Sequence, residues 1–164
     1  PPFTTVNAVS NFKIFMSSLC NEYLKPSNKI TTWLIKYIAH MFQYPEERPD
    51  KVVIFVGWTG AGKDTFYLTL KNLLGMDYIG NVDDLDEIFG TFNNVLNNKV
   101  CLFMNELEGA NTHKIQERLK ALSTKEYNTI NNKNEKAIQQ KNYIRLFGAS
   151  NGYNPLNIQL FRKS

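Results

Sequence analysis

Seven residues, Gly57-Trp58-Thr59-Gly60-Ala61-Gly62-Lys63, follow directly on the apolar run Val52-Val53-Ile54-Phe55-Val56 and lead into a stretch in which Phe66, Leu70, Leu73 and Leu74 recur ahead of Gly75. The order predicts strand, glycine turn and helix, which is the context a phosphate-binding loop requires. Glycines let the backbone wrap a phosphate chain, its N–H groups and the helix N-terminus supply positive potential, and Lys63 is long enough to reach the terminal phosphates. A glycine-rich turn of no function is the bland alternative, and the flanking strand and helix argue against it. Gly57, Thr59, Gly60, Ala61, Gly62, Lys63, Asp64 and Thr65 are therefore the expected nucleotide-binding residues. One position departs from the pattern: Asp64 stands where a Ser or Thr hydroxyl normally meets Mg²⁺, and Thr65 comes one place later.

The rest of the chain predicts an α/β fold, a parallel sheet flanked by helices, with an N-terminal helical segment. Val9, Phe12, Met16, Leu19, Cys20 and Tyr23 recur at three- and four-residue steps. Pro26-Ser27-Asn28 breaks that run and supplies a cap, and Ile30, Trp33, Leu34, Tyr37, Ile38, Met41 and Phe42 repeat the stripe. Tyr44 to Asp50, with two prolines, reads as a loop. Val100-Cys101-Leu102-Phe103-Met104 and Tyr143-Ile144-Arg145-Leu146-Phe147 read as strands, continuous apolar runs suited to burial on both faces. Helices are expected from Val82 to Leu96, opened by Asp83, Asp84, Asp86 and Glu87, and from Lys114 to Leu122. These patterns divide the chain into a helical lead-in, 1–50, and a core, 51–164. The abrupt start at Pro1-Pro2 and the end at Ser164 read as a piece of a longer protein, cut short at the C-terminus.

A mean hydropathy of -0.35, with no apolar run long enough to span a bilayer and no signal-peptide pattern, points away from membranes and secretion. Cys20 and Cys101 lie in apolar segments without metal-ligand spacing, so buried thiols are expected. Charge is unevenly placed: residues 1–110 carry 9 Lys/Arg against 12 Asp/Glu, residues 111–164 carry 10 against 3. That basic final third suits a polyanion partner, with a merely solvated face as the alternative.

Two further strand ends carry candidate chemistry. Asn105-Glu106-Leu107-Glu108 closes one, with Glu106 expected to activate water, Asn105 where a metal-directed Asp is usual, and Glu108 either near the site or solvated. Asp64, Asn105 and Glu106 are the candidate metal residues, and the two departures read as a swap of carboxylate and neutral oxygen between neighbouring strands, or as a site that binds nucleotide and hydrolyses it poorly. Gly148-Ala149-Ser150-Asn151 closes the other, with Asn151 aimed at the γ-phosphate or its attacking water, unless Asn151-Gly152 is only a turn pair.

Gly57 to Lys63, then Asn105-Glu106, a basic segment and Ser150-Asn151, in that order, resemble the superfamily three helicases of viruses and phages. The likeness is greatest to poxvirus-type primase-helicases and to the helicase-like domains of phage primase-polymerases. The resemblance implies a P-loop, AAA+-like core using ATP and Mg²⁺, a homo-oligomeric ring, usually a hexamer, and a single strand of DNA, with RNA left open, drawn through its pore. It further implies a hairpin with a basic tip, placing Lys133 and then Lys136 on the strand, and an arginine finger shortly after the Asn-tipped strand, which is either Arg162 or a residue outside this sequence. Arg118 and Arg145 are expected to support helix and strand surfaces. A fused or associated primase or polymerase and an intracellular setting, host cytoplasm or viral replication site, follow from the same likeness. Two alternatives stand beside this ATPase/helicase reading. A small-molecule kinase shares Gly62-Lys63-Asp64-Thr65 but needs an arginine-bearing lid, and this chain has arginine only at 48, 118, 145 and 162. A catalytically weakened, ring-forming module could hold DNA for an attached primase or polymerase.

Overall fold

The computed structural model describes residues 5–21, 28–105, 107 and 113–151. The chain divides into two compact units, Pro1–Pro45 and Glu46–Ser164. The first contains two helices, α1 (Thr5–Leu19) and α2 (Lys29–Gln43). Thr31, Leu34, Tyr37, Ile38 and Met41 form the buried stripe of α2, the three- and four-residue spacing expected of an amphipathic helix. Asn28 precedes α2 in a left-handed conformation (φ 35°) without the side-chain cap that the sequence suggests. Among the described residues no helix is long and apolar enough to cross a membrane.

The second unit is built on β1 (Val52–Val56), β2 (Ile79–Val82), β3 (Cys101–Met104) and a later strand, β6 (Arg145–Ser150), hydrogen-bonded in the order β1-β6-β3-β2 and parallel throughout. Every residue of the two central strands, β3 and β6, is buried, which explains the apolar run of β3 and the Leu146-Phe147 centre of β6. Between them in sequence lie α3 (Lys63–Leu74), the single turn α4 (Asp86–Phe89), a 3₁₀ turn (Asn94–Leu96), α5 (His113–Thr124) and the antiparallel pair β4 (Tyr127–Ile130) and β5 (Ile138–Lys141).

Strand alternation separates two cores. On one face Phe55, Phe103 and Phe147 meet Phe66 of α3, with ring centroids 4.6, 6.4 and 5.4 Å from it. On the other, Leu102, Met104 and Leu146 join Ile88, Leu96, Leu119, Leu122 and Ile130 in an aliphatic cluster. Glycines are needed where the second face is crowded. A Cβ on Gly80 would stand 2.6 Å from Leu102 Cδ1, and one on Gly148 would collide with Leu107.

Four expectations are corrected. The helix expected over Val82–Leu96 is a strand end followed by two short turns, because Gly90 closes α4 and Asn93 leads the 3₁₀ turn. The strand expected over Tyr143–Phe147 runs instead from Arg145 to Ser150. The acidic strand β3 is not the neighbour of β1: β6 lies between them. Arg145 is no surface residue; it is 1 % exposed, with Nη2 donating to Glu47 O at 2.6 Å. Of the two thiols Cys101 is buried and Cys20 is only half-buried. Burial pushes the Cys101 thiol upward, and the Arg145 guanidinium opposes that shift without cancelling it.

Candidate functional site

The glycine loop leaves the carboxyl end of β1 under tight backbone control. Gly57 N donates to Ser150 O (3.1 Å), which pins the start of the loop to the end of β6, and Ala61 N donates to Trp58 O (3.1 Å). Gly60 (φ 83°) and Gly62 (φ 90°) adopt left-handed conformations that a side chain would strain, and a Cβ on Gly60 would project into open space. Among the described residues the amides of Gly60, Gly62, Lys63, Asp64 and Thr65 donate to no protein acceptor, so the loop and the first turn of α3 present a row of N–H groups. Phe66, 1 % exposed, fixes α3 to the sheet so that this row cannot turn away.

Lys63 is 8 % exposed, and its ammonium lies inside the loop. Nζ donates to Gly57 O (2.5 Å), Trp58 O (3.0 Å) and Asn151 Oδ1 (2.8 Å). The last bond joins residues 88 positions apart and brings together two of the residues singled out in the sequence. Thr59, Gly60, Gly62, Lys63, Asp64, Thr65, Asn105 and Asn151 line one cleft of about 590 Å³, together with Asp83 and Ala149.

How Asn105 reaches this cleft from a strand two places away from β1 follows from the chain after β3. Asn105 N donates to Val82 O (2.7 Å), Leu107 N donates to Ala149 O (2.9 Å), and Leu107 packs over Gly148. Asn105 is thus held at the end of β2, and Leu107 at the end of β6. Asn105 Nδ2 donates to Asp83 Oδ1 (2.7 Å) and Asn81 Oδ1 (3.1 Å), an amide bridge to the end of β2. Asp83 is the residue that sequence reasoning missed. It reads as a helix-opening charge, and the strand that delivers it, Ile79-Gly80-Asn81-Val82, is too short and polar to stand out. Burial pushes the neighbouring Tyr67 phenol upward, with Cys101 and Asp83 adding to the shift.

Asp64 and Asp83 both place carboxylates in the cleft, beside the amide of Asn105. Among the described residues no group of three or more His, Cys, Asp or Glu could hold a metal ion alone. Hard oxygen donors too few for a cage fit Mg²⁺ shared with phosphate oxygens and water better than a protein-only site. Glu106, Glu108 and Arg162 lie outside the described residues. Lys133 and Lys136 are exposed in the connection between β4 and β5, away from the cleft lining. A turn shapes that connection: Asn132 Nδ2 donates to Glu135 Oε2 (2.6 Å), with Asn134 left-handed (φ 63°).

The base of this hairpin is tied down firmly. Arg48 Nη1 and Nη2 donate to carbonyls in the last turn of α5 and just beyond it, Leu122 O (3.0 Å) and Lys125 O (2.6 Å). Asn142 Nδ2 donates to the same two carbonyls (2.8 and 3.1 Å). One helix end therefore holds both the segment entering β1 and the segment leaving β5.

Comparison with known proteins finds likeness to a phage protein. The DNA primase-polymerase of Nitratiruptor phage NrS-1 is 28% identical over 161 residues, covering 96% of this chain and 22% of that protein. The apo structure of the NrS-1 C-terminal region (305-718) superimposes with a TM-score of 0.79 at 27% identity, over 92% of this chain and 35% of that one. A second apo structure, the A form of the same region, gives 0.75 at 29% identity over 89% and 34%. The chain spans about a fifth of the curated relative it matches. The model of a family of unknown function, DUF5906, matches residues 55–163, from the glycine-loop strand to near the last residue, and the chain belongs to that family.

Proposed function

We propose that this chain is the nucleotide-binding, strand-holding module of a phage replication protein, working beside a primase-polymerase, with ATP and Mg²⁺ in the glycine-loop cleft and single-stranded DNA on the β4–β5 hairpin. The observation that carries the reading is the Lys63–Asn151 bond inside the loop. It gathers a buried ammonium, a polar strand tip and a row of donor amides at one place, the carboxyl ends of β1 and β6. β1 and β6 are neighbouring parallel strands, so their carboxyl ends open at the same edge of the sheet, the end at which open α/β sheets bind ligands. The likeness to a primase-polymerase C-terminal region supports the setting, and lysines at the hairpin turn support contact with phosphates.

In this reading the amides of Gly60 to Thr65 bind the phosphate chain and Lys63 neutralises its far end. Asp64 and Asp83 hold Mg²⁺, which supplies charge neutralisation at the phosphates. Asn151 positions the terminal phosphate, and Glu106 acts as base toward water. Turnover is slow, because Asn105 offers an amide where a metal-directed carboxylate would otherwise stand, and that amide is engaged with Asp83. A ring, hexameric by resemblance, with Arg162 acting across subunits, belongs to the same proposal.

The test is equilibrium binding of ATP with Mg²⁺, followed by turnover with and without single-stranded DNA. Binding with little turnover supports the holding module, and failure to bind ATP sinks it. Strand-stimulated turnover accompanied by duplex unwinding would replace it with the motor reading.

A further inference from the structure

A second cleft, of about 620 Å³, opens on the aliphatic side of the sheet, where α4, the 3₁₀ turn, α5 and β4 meet. Ile88, Leu96 and Leu122 give it an apolar floor. Its walls are of a different kind. The Arg118 guanidinium lies 5.6 Å from the centre of the Phe89 ring, and Tyr127 stands at the rim, 52% exposed. Asn128 lines the cleft while only 6% exposed, and its side-chain amide has no hydrogen-bond partner among the described residues. Neighbouring Asn93 is the contrast. Its amide is fully committed, Nδ2 donating to Thr129 O (3.0 Å) and Oδ1 accepting from Asn131 N (2.7 Å).

The Asn128 residue is more than nine-tenths buried, yet its unpaired amide is not sealed from solvent, so a group entering the cleft can reach it. One donor and one acceptor on a flat group match the edge of a nucleobase, and aromatic rings with a guanidinium match its faces. The backbone phosphates of such a ligand would find cations on both sides. Lys125 belongs to the cleft, and Lys133 comes two residues after Asn131, another lining residue, within about 7 Å along the chain.

The geometry points to a nucleobase pocket: one base of a single strand stacks against Tyr127 or the Phe89–Arg118 pair and is held at its edge by Asn128, while Lys125 and Lys133 hold the adjoining phosphates. This deepens the strand-holding role proposed for the hairpin and rests on it. The pocket gives base-dependent grip without demanding one sequence, since every base has a stacking face.

Fluorescence anisotropy on the full chain tests this, with a labelled poly-dT strand, the same strand carrying abasic residues, and a poly-U strand as the RNA arm. The intact chain binds the base-bearing strand about tenfold or more tightly than the abasic one. Asn128→Ser and Tyr127→Ala each reduce that ratio severalfold toward one and leave the abasic affinity unchanged; Tyr127 is half exposed, so its truncation spares the core. Lys133→Ala weakens both strands alike. A ratio near one in the intact chain, or variants of Asn128 and Tyr127 that lower both affinities equally, overturns the pocket. If Lys133→Ala changes neither affinity while base discrimination persists, the hairpin reading fails and the pocket is retained. Equal affinity for poly-dT and poly-U assigns it to single strands in general, and a severalfold difference to the favoured sugar.

Discussion

The two clefts of the second unit are nearly equal in volume, about 590 and 620 Å³, and differ in almost everything else. The glycine-loop cleft is a place of fixed charge and fixed dipoles: a buried ammonium, two carboxylates and a row of amide N–H groups. Its counterpart offers rings, an aliphatic floor and an amide awaiting a partner. Size therefore decides nothing between them, and the chemistry of the walls suits one to a phosphate chain and the other to a flat base. The two also lean on different cores, since α3 sits on the aromatic face of the sheet while Leu119 and Leu122 of α5 belong to the aliphatic one.

The largest expected effect attacks the charged side of this contrast. Lys63→Ala removes a cation that makes charge-assisted hydrogen bonds, and should weaken ATP binding by about 10- to 100-fold in calorimetry. Strand affinity should stay within twofold; a parallel loss of both would mean that the clefts are one functional unit. Next in size, Gly148→Ala drives a Cβ into Leu107. Overpacking of that kind costs about 1–3 kcal/mol, read as a fall in the melting temperature of about 2–4 °C per kcal/mol. Because Leu107 lies two residues after Asn105 and is bonded to the end of β6, ATP affinity should fall beyond what the stability change explains, while base discrimination holds. Asn105→Asp tests the metal assignment more gently. A carboxylate 2.7 Å from Asp83 adds like-charge repulsion that a divalent ion relieves, so the Mg²⁺ concentration at half-saturation should drop severalfold. A shift in the opposite direction would remove Asp83 from the ion's surroundings.

The smallest effect concerns the boundary of the aromatic core. The Cys101 thiol is held above its ordinary range by burial. A raised folded-state value means stability is complete below the unfolded thiol's pKa, about 8.5, and declines as pH rises through and beyond it. Alkylation at pH 8 should accordingly label half-buried Cys20 in the native chain and reach Cys101 only on unfolding.

Legibility in the sequence followed the range of the interactions. The Gly57–Lys63 loop, α3 with its Gly75 stop, and the strands around Phe103 and Phe147 are written in contiguous residues, and each is found close to where periodicity and turn chemistry place it. What escaped was set by partners far away in sequence. Ile79-Gly80-Asn81-Val82 has little strand propensity; it is a strand because β3 pairs with it and because Gly80 is the residue that fits under Leu102. Asp83 enters the cleft only through that strand, so its role could not be seen without it. Arg145 reads as a surface cation until its guanidinium is found against Glu47 O, 98 positions earlier. The candidate site was legible for the loop and for Asn151, whose contact with Lys63 needed only that β1 and β6 be neighbours. The pocket at Asn128 had no signature, since its lining comes from four elements and no two of them share a motif.

Lys63 arrives at its task already occupied. Three oxygen acceptors hold its ammonium, so its long side chain has surrendered most of its rotameric freedom before any phosphate comes near. In the nucleotide site proposed above, recognition is an exchange of partners rather than a capture: a phosphate oxygen would have to outcompete two carbonyls and an amide, and affinity would reflect the difference between the two sets. Since Asn151 is one of the partners given up, its release is coupled to the state of the loop, and the tip of β6 becomes the part of the molecule that registers whether the exchange has taken place.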